Sequence, residues 1–155
     1  MARVIVVHHT PSPTLQLFLG ALTDGVDSAS RELGSEIEVL TRPALSAGAF
    51  DVLQADALVL GTPANIAYMS GALKHFFDTV YYPCLTDTAD LPVAGYIHGH
   101  DSVEGAVASI TRITRALRWR PIQPWLELTG SPDKADIEAC RDLGQLAAAA
   151  ALGQA

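Results

Sequence analysis

The chain has 155 residues, 49% of them hydrophobic, with mean hydropathy +0.23 and a formal net charge of −7. That is enough for one domain (residues 1–155) with a core of its own, and too apolar for a disordered chain. No apolar run approaches the roughly 18 residues of a membrane helix, and an acidic chain with scattered basic residues is a poor partner for nucleic acid or a membrane surface.

The elements follow in chain order. Val4-Ile5-Val6-Val7 is a β-branched run closed by a Thr/Pro/Ser cluster, so it reads as a buried strand. The apolar stretch behind Met1 is too short for a signal segment, so the protein is expected to stay in the cytoplasm. From Thr14 to about Leu33, Leu15, Leu19, Leu22 and Val26 form a helical stripe that Gly34-Ser35 ends. Ile37–Leu40 is a second strand, and Ala57–Leu60 is a third, stopped by Gly61-Thr62-Pro63.

Ser70 opens a helix whose Leu73, Phe76, Phe77 and Val80 share a face. Its continuation, Tyr81 to Leu85, is apolar enough for a partner surface or a homo-oligomer contact, and equally for core under a loop. Val93–Ile97 is a fourth strand, followed by a helix from about Ser102 to Leu117. Arg112, Arg115, Arg118 and Arg120 cluster largely at helical spacing, as on a solvated helix face. Pro121–Leu128 is a fifth strand whose prolines suit a sheet edge. Ser131-Pro132-Asp133 then reads as cap, first-turn proline and first-turn acid of a last helix through Ile137, Cys140, Leu143 and Leu146.

Five strands alternating with helices give an α/β fold, a five-stranded parallel sheet with helices on both faces and right-handed crossovers. Spacing leaves the strand order open. Ligands of such sheets bind beyond the carboxyl ends of the strands, which directs attention to loops 8–14, 61–70 and 98–105, and less centrally to 41–50.

The first loop, His9 to Thr14, carries the hydroxyls of Thr10, Ser12 and Thr14 at a strand-to-helix junction. Helix N–H groups and the positive end of the dipole make such a place attractive to phosphate, but N-capping by Ser12 or Thr14 gives the same pattern. It fits neither the dinucleotide nor the P-loop glycine motif. The loop from Gly61 to Gly71 is long for a strand-to-helix connection and sets Asn65 among apolar residues suited to a flat heterocycle, or else to a surface loop. His98-Gly99-His100-Asp101-Ser102 brings polar heads to a third loop. With His8 and His9 these histidines invite a metal reading, yet no Cys or Glu joins them at ligand spacing, and ligand or loop hydrogen bonding is expected instead. Cys84 and Cys140 form no framework and read as two reduced, partly buried thiols.

The stretch Gly61-Thr62-Pro63, Met69-Ser70-Gly71, Lys74, Phe76 and Asp78 resembles the flavin-ring loop and following helix of the flavodoxin-like superfamily. It is most similar to the tryptophan-repressor-binding-protein type of NAD(P)H:quinone oxidoreductases and the NADPH-dependent FMN reductases. The stretch Ala2 to Gly25 resembles that family's phosphate strand and helix. The resemblance implies a flavodoxin-like three-layer sandwich holding FMN without a covalent link. Thr10, Ser12 and Thr14 would meet the phosphate, with N–H groups from Ser12 to Leu15. Thr62, Pro63, Ala64, Asn65 and Ile66 would line one side of the ring, and His98, Gly99, His100, Asp101 and Ser102 up to Val103 would bracket the other.

The flavin would carry the redox chemistry, so no catalytic residue is assigned. The family departures are Pro11 and Pro13, which remove two N–H donors, a loop after the fourth strand that is not Gly-rich, and no counterpart of the quinone-reductase insertion with its later histidine.

The implied function is an FMN-dependent oxidoreductase passing electrons from NAD(P)H to a quinone or similar small acceptor. A flavodoxin-type one-electron carrier and a flavin-free regulatory or scaffolding domain are the alternatives. A response-regulator receiver has the same fold class but needs an acidic pair, an aspartate and a lysine where this chain has His8-His9, Thr62-Pro63 and Thr129-Gly130.

Overall fold

In the computed structural model, which describes residues 1–155, β1 is Ala2–His8, α1 is Pro13–Leu33, β2 is Ile37–Pro43 and α2 is Ala49–Gln54. β3 (Ala57–Asn65) folds back on β4 (Tyr68–Met69), and α3 (Gly71–Cys84), β5 (Pro92–Gly99) and α4 (Glu104–Ala116) follow. The chain ends with β6 (Arg120–Pro121), β7 (Leu126–Thr129) and α5 (Lys134–Ala151). The strand order left open by the sequence is β2-β1-β3-β5, with β6 and β7 in turn occupying the far edge beside β5. Every pair in this sheet is parallel except the β3–β4 hairpin.

Alternation along the strands divides the core. Val4 and Val6 of β1 face α1 and α5, whereas Ile5 and Val7 face α2, α3 and α4. Each of these four side chains is at most 1% exposed, and full burial of such a residue contributes about 1.5–3 kcal/mol. The two-sided burial explains why β1 and β3 read as unbroken apolar runs. On the α1/α5 side the helix backbones nearly touch. A Cβ on Gly25 would lie 2.0 Å from the Arg141 carbonyl oxygen, and one on Gly144 equally close to that of Leu22.

Gly34 ends α1 in the left-handed region at φ 60°, as the sequence suggested, and its N–H is donated back to the last turn. Other expectations shift. Asp133, not Ser131, caps α5: its side chain accepts the Asp136 N–H while the Asp136 carboxylate accepts that of Asp133. α4 begins at Glu104, and only Arg112 and Arg115 lie on it. Arg118 follows at φ 59°, and Arg120 sits on β6 with its Nε 3.4 Å from Asp90 Oδ1.

The expected fifth strand breaks in two because residues 122–125, with Pro124, leave the ladder between β6 and β7. α2 went unread: six residues are too short to establish a periodicity. The Tyr81–Leu85 segment is part core and part surface, with Cys84 fully buried and Tyr82 80% exposed. Both thiols are free and buried; burial pushes Cys84 up and takes Cys140 to about 12, so neither is a thiolate at neutral pH. No helix is long and apolar enough to cross a membrane.

Candidate functional site

The carboxyl ends of β1, β3 and β5 are neighbours, so the loops that follow them share one edge of the sheet. The first loop is bound to that edge by the His9 N–H donating to the Gly61 carbonyl (2.9 Å) and the Ala44 N–H donating to that of His8 (2.7 Å). Ser12 is the N-cap of α1, accepting the Leu15 N–H at 3.2 Å, with Pro13 at the first helical position. The expected run of N–H donors from Ser12 to Leu15 therefore shrinks: Pro13 has none, Leu15 gives its own to the cap, and its side chain is core.

The Ser12 and Thr14 N–H groups remain without a partner in the chain, as do the hydroxyl protons of both residues. His8 Nδ1 lies 2.7 Å from Thr10 Oγ1, and His9 Nδ1 is a buried atom with no partner. Burial first, and the neighbouring charge of His9 second, hold His8 below its ordinary value. His8, His9, Thr10 and Pro11 line a cleft of about 320 Å³ with Ala44 and Leu45.

The second loop is a hairpin with a two-residue tip. Asn65 pairs with Tyr68, and between them Ile66 and Ala67 take φ of 49° and 56°. Two consecutive positive φ values make a type I′ turn, which ordinarily calls for Asn or Gly; a β-branched residue there is strained. What holds it is α4. A Cβ on Gly105 would lie 1.9 Å from the Ala67 carbonyl oxygen, so the tip rests on bare helix backbone, and the Met69 N–H donates to Ser109 Oγ at 3.4 Å.

Ile66 is fully exposed at the tip, beside exposed Asn65. Thr62 and Pro63 are buried beneath the loop. The Thr62 hydroxyl donates to the Pro63 carbonyl (2.8 Å) and accepts the Ser70 N–H (3.2 Å). The structure thus makes Thr62 a support of the hairpin and corrects its expected place on the ring's side.

The third loop separates its histidines. His98 turns to the α1 side of the sheet, where its ring meets Phe18 edge-on at 5.6 Å and its Nε2 donates to the Gly130 carbonyl at 2.8 Å. It therefore ties β5 to the β7 end and does not line the cleft beside this loop, against its expected place. Gly99 is buried, with Ala64 close to where its Cβ would stand. His100, Asp101 and Ser102 reach the surface and join Ala64, Ala67, Glu104 and Gly105 around a cleft of about 360 Å³. Ala67, Glu104 and Gly105 lie within the loops 61–70 and 98–105, but their meeting is not legible in the sequence, because only the type I′ turn brings the hairpin tip onto α4 and the tip carries no Asn-Gly to announce it. Ser102 Oγ accepts the Glu104 N–H at 3.4 Å, and His100 Nε2 stands 3.9 Å from Asp101 Oδ1 at full solvent exposure.

No three of the His, Cys, Asp and Glu side chains converge on a metal-sized site. A larger cleft of about 460 Å³ lies on the flank between α4 and residues 121–127. Its central polar groups are committed internally, Trp125 Nε1 to Thr111 Oγ1 at 2.8 Å and Thr114 Oγ1 to the Ile110 carbonyl. It also lies off the carboxyl ends of the strands, so the loop edge is the better candidate.

No family model and no curated protein matches this sequence. Solved structures do match in fold. A flavodoxin from the domain Archaea superposes at a TM-score of 0.79 with 19% identity, over 97% of this chain and 99% of the other. The flavodoxin, WrbA-like protein from Agrobacterium tumefaciens gives 0.77 at 15% identity over the whole of both chains. The flavodiiron protein from Giardia intestinalis gives 0.78 at 18% identity, this chain covering 98% of itself and 36% of that larger one. At these identities the likeness establishes the fold, which is flavodoxin-like.

Proposed function

We propose that the chain binds FMN non-covalently at this edge and serves electron transfer, as an oxidoreductase passing electrons from NAD(P)H to a quinone or similar small acceptor. One observation carries the reading. The unpartnered N–H and O–H donors of Ser12 and Thr14 lie at the start of a 21-residue helix, on the same sheet edge as an apolar hairpin tip facing a polar loop. A phosphate fits the first place and a flat ring the second. The orphaned His9 Nδ1 beside the loop is a further polar atom that a phosphate group could satisfy.

When bound, FMN supplies the hydride and electron chemistry. The chain's own residues hold and shield it. Thr10, Ser12 and Thr14 donate to the phosphate, Ala64 and the Asn65–Ala67 tip cover one side of the ring, and residues 100–102 border the other. Neither cleft is lined by a Phe, Tyr or Trp. That supports an open ring face serving a small donor and acceptor in turn, over a one-electron carrier with a stacked ring.

Titration of the apo-protein with FMN, FAD and riboflavin, followed by flavin fluorescence, tests the reading. FMN should bind tightest. Equal affinity for riboflavin removes the phosphate site, and no binding at all leaves the flavin-free alternative. Anaerobic mixing of the holoprotein with NADH or NADPH should bleach the flavin at the rate of quinone turnover. Reduction by a ferredoxin-type reductase alone favours the carrier.

A further inference from the structure

We infer that His8 is a positioning residue of the first loop, directing the Thr10 hydroxyl so that capture of a phosphate-bearing flavin takes up a proton at His8. The inference rests on the FMN reading above. Its geometry is the 2.7 Å contact between His8 Nδ1 and Thr10 Oγ1 at the mouth of the 320 Å³ cleft, on a half-buried imidazole.

A neutral imidazole can present Nδ1 as a lone pair, and the Thr10 proton is then spent on it. A protonated imidazole has no lone pair at Nδ1. It must donate to Thr10 Oγ1, and the Thr10 O–H becomes free to donate to an anion. Protonation therefore adds a positive charge beside the loop and also turns a hydroxyl donor outward. A phosphate dianion favours both changes, so the proton and the ligand bind together.

The surroundings leave His8 free to act this way. Without a ligand, burial and the charge of His9 keep it neutral near pH 7. Across the sheet its row continues through Gly61 to Tyr96, whose phenol burial pushes far up, so that it stays neutral. Cys140 of α5, near that phenol, is likewise neutral, at about 12. On β2 the residue opposite is Pro43; the preceding Arg42 gives its Nε to Asp51 at 3.1 Å on the other face. The first turn of α1, Pro13 to Gln16, carries no charge, and α3 contributes Ala72 to the cleft. No carboxylate figures among the charges that reach His8, so an incoming phosphate has no anionic competitor for it.

The test is calorimetric titration of the apo-protein with FMN and with riboflavin at about pH 7, in two buffers of different ionisation enthalpy. FMN binding to the wild type should take up a substantial fraction of a proton, and riboflavin none. In His8→Asn, which keeps a polar group at the Nδ1 position but does not titrate, FMN should still bind with the uptake gone. The phosphate's own ionisation, near pH 6, contributes equally to both proteins and cancels in the comparison. Thr10→Ser should keep the wild-type uptake and affinity, whereas Thr10→Val should weaken FMN and leave riboflavin unchanged. The Thr10 pair reports on the same contact if the His8 variant fails to fold. Equal uptake in wild type and His8→Asn, or Thr10→Val binding FMN as tightly as Thr10→Ser, overturns the inference alone. Failure of the wild type to bind FMN overturns the flavin reading beneath it.

Discussion

The loop after β1 and the hairpin after β3 begin one strand apart, yet they are built on opposite principles. Residues 8–14 are held by hydrogen bonds: to Gly61, to Ala44, within the Ser12 cap, and between His8 and Thr10. Their backbone is unstrained, and the donors left over are polar. Residues 65–68 are held by shape. Two positive φ values and a fully exposed Ile66 persist because the Ala67 carbonyl rests on a glycine. A site with one charged and one flat apolar demand would be divided in this way, with unpartnered polar donors under the charge and a shaped, partly strained surface under the ring.

The hairpin's seat is the largest point of leverage. In most helix positions Gly→Ala gains about 1 kcal/mol from propensity. At Gly105 the new Cβ would fall 1.9 Å from the Ala67 carbonyl oxygen, a backbone atom that cannot swing aside. Overpacking of this kind costs about 3 kcal/mol, so Gly105→Ala should be net destabilising by about 2 kcal/mol in chemical denaturation. Both FMN and riboflavin should bind more weakly, since the tip is displaced and the first loop is not. A stabilised variant would mean that the hairpin is free to move off α4.

The first loop offers a separation instead of a collapse. Ser12→Ala removes the side chain that accepts the Leu15 N–H and should lower apo-protein stability by about 1 kcal/mol. Thr14 has no part in that cap, so Thr14→Val should leave apo stability unchanged. A hydrogen bond to a charged group contributes roughly 1.5–3 kcal/mol, so the same change should weaken FMN by about 10- to 150-fold and riboflavin hardly at all. If Thr14→Val leaves FMN affinity intact, the phosphate is held elsewhere in the loop.

The sequence was legible where burial is two-sided or a cap is local. β1 and β3 declared themselves through Val4–Val7 and Ala57–Leu60, α1 through its stripe and Gly34, and α3 through Ser70, whose Oγ accepts the Leu73 N–H at 3.2 Å. The choice of the strand ends as the candidate site followed from the alternation of elements. Long-range choices were not legible. Nothing near His98 in sequence says that its Nε2 will find the Gly130 carbonyl 32 residues on, or that Thr62 will turn inward to Ser70. Proline spacing marked the far edge without showing that it would split into β6 and β7.

The smallest expected effect tests whether the strain at the hairpin tip belongs to the site. Ile66 is 100% exposed, so its replacement loses no burial, and its φ of 49° is one a β-branched residue adopts only at a cost of about 1–3 kcal/mol. Glycine takes that conformation without strain but loses about 0.5–1 kcal/mol more entropy on folding. Ile66→Gly should therefore stabilise the apo-protein by about 1 kcal/mol, visible as a small rise in Tm. If the isoleucine side chain covers the ring, the gain in stability should come with weaker binding of FMN and riboflavin alike, unlike the phosphate-selective loss at Thr14. Higher stability with unchanged affinity for both flavins would show that the tip does not touch the ring. The strain at Ile66 would then serve only the packing of the hairpin on α4, and the ring would have to be covered by Ala64 and residues 100–102.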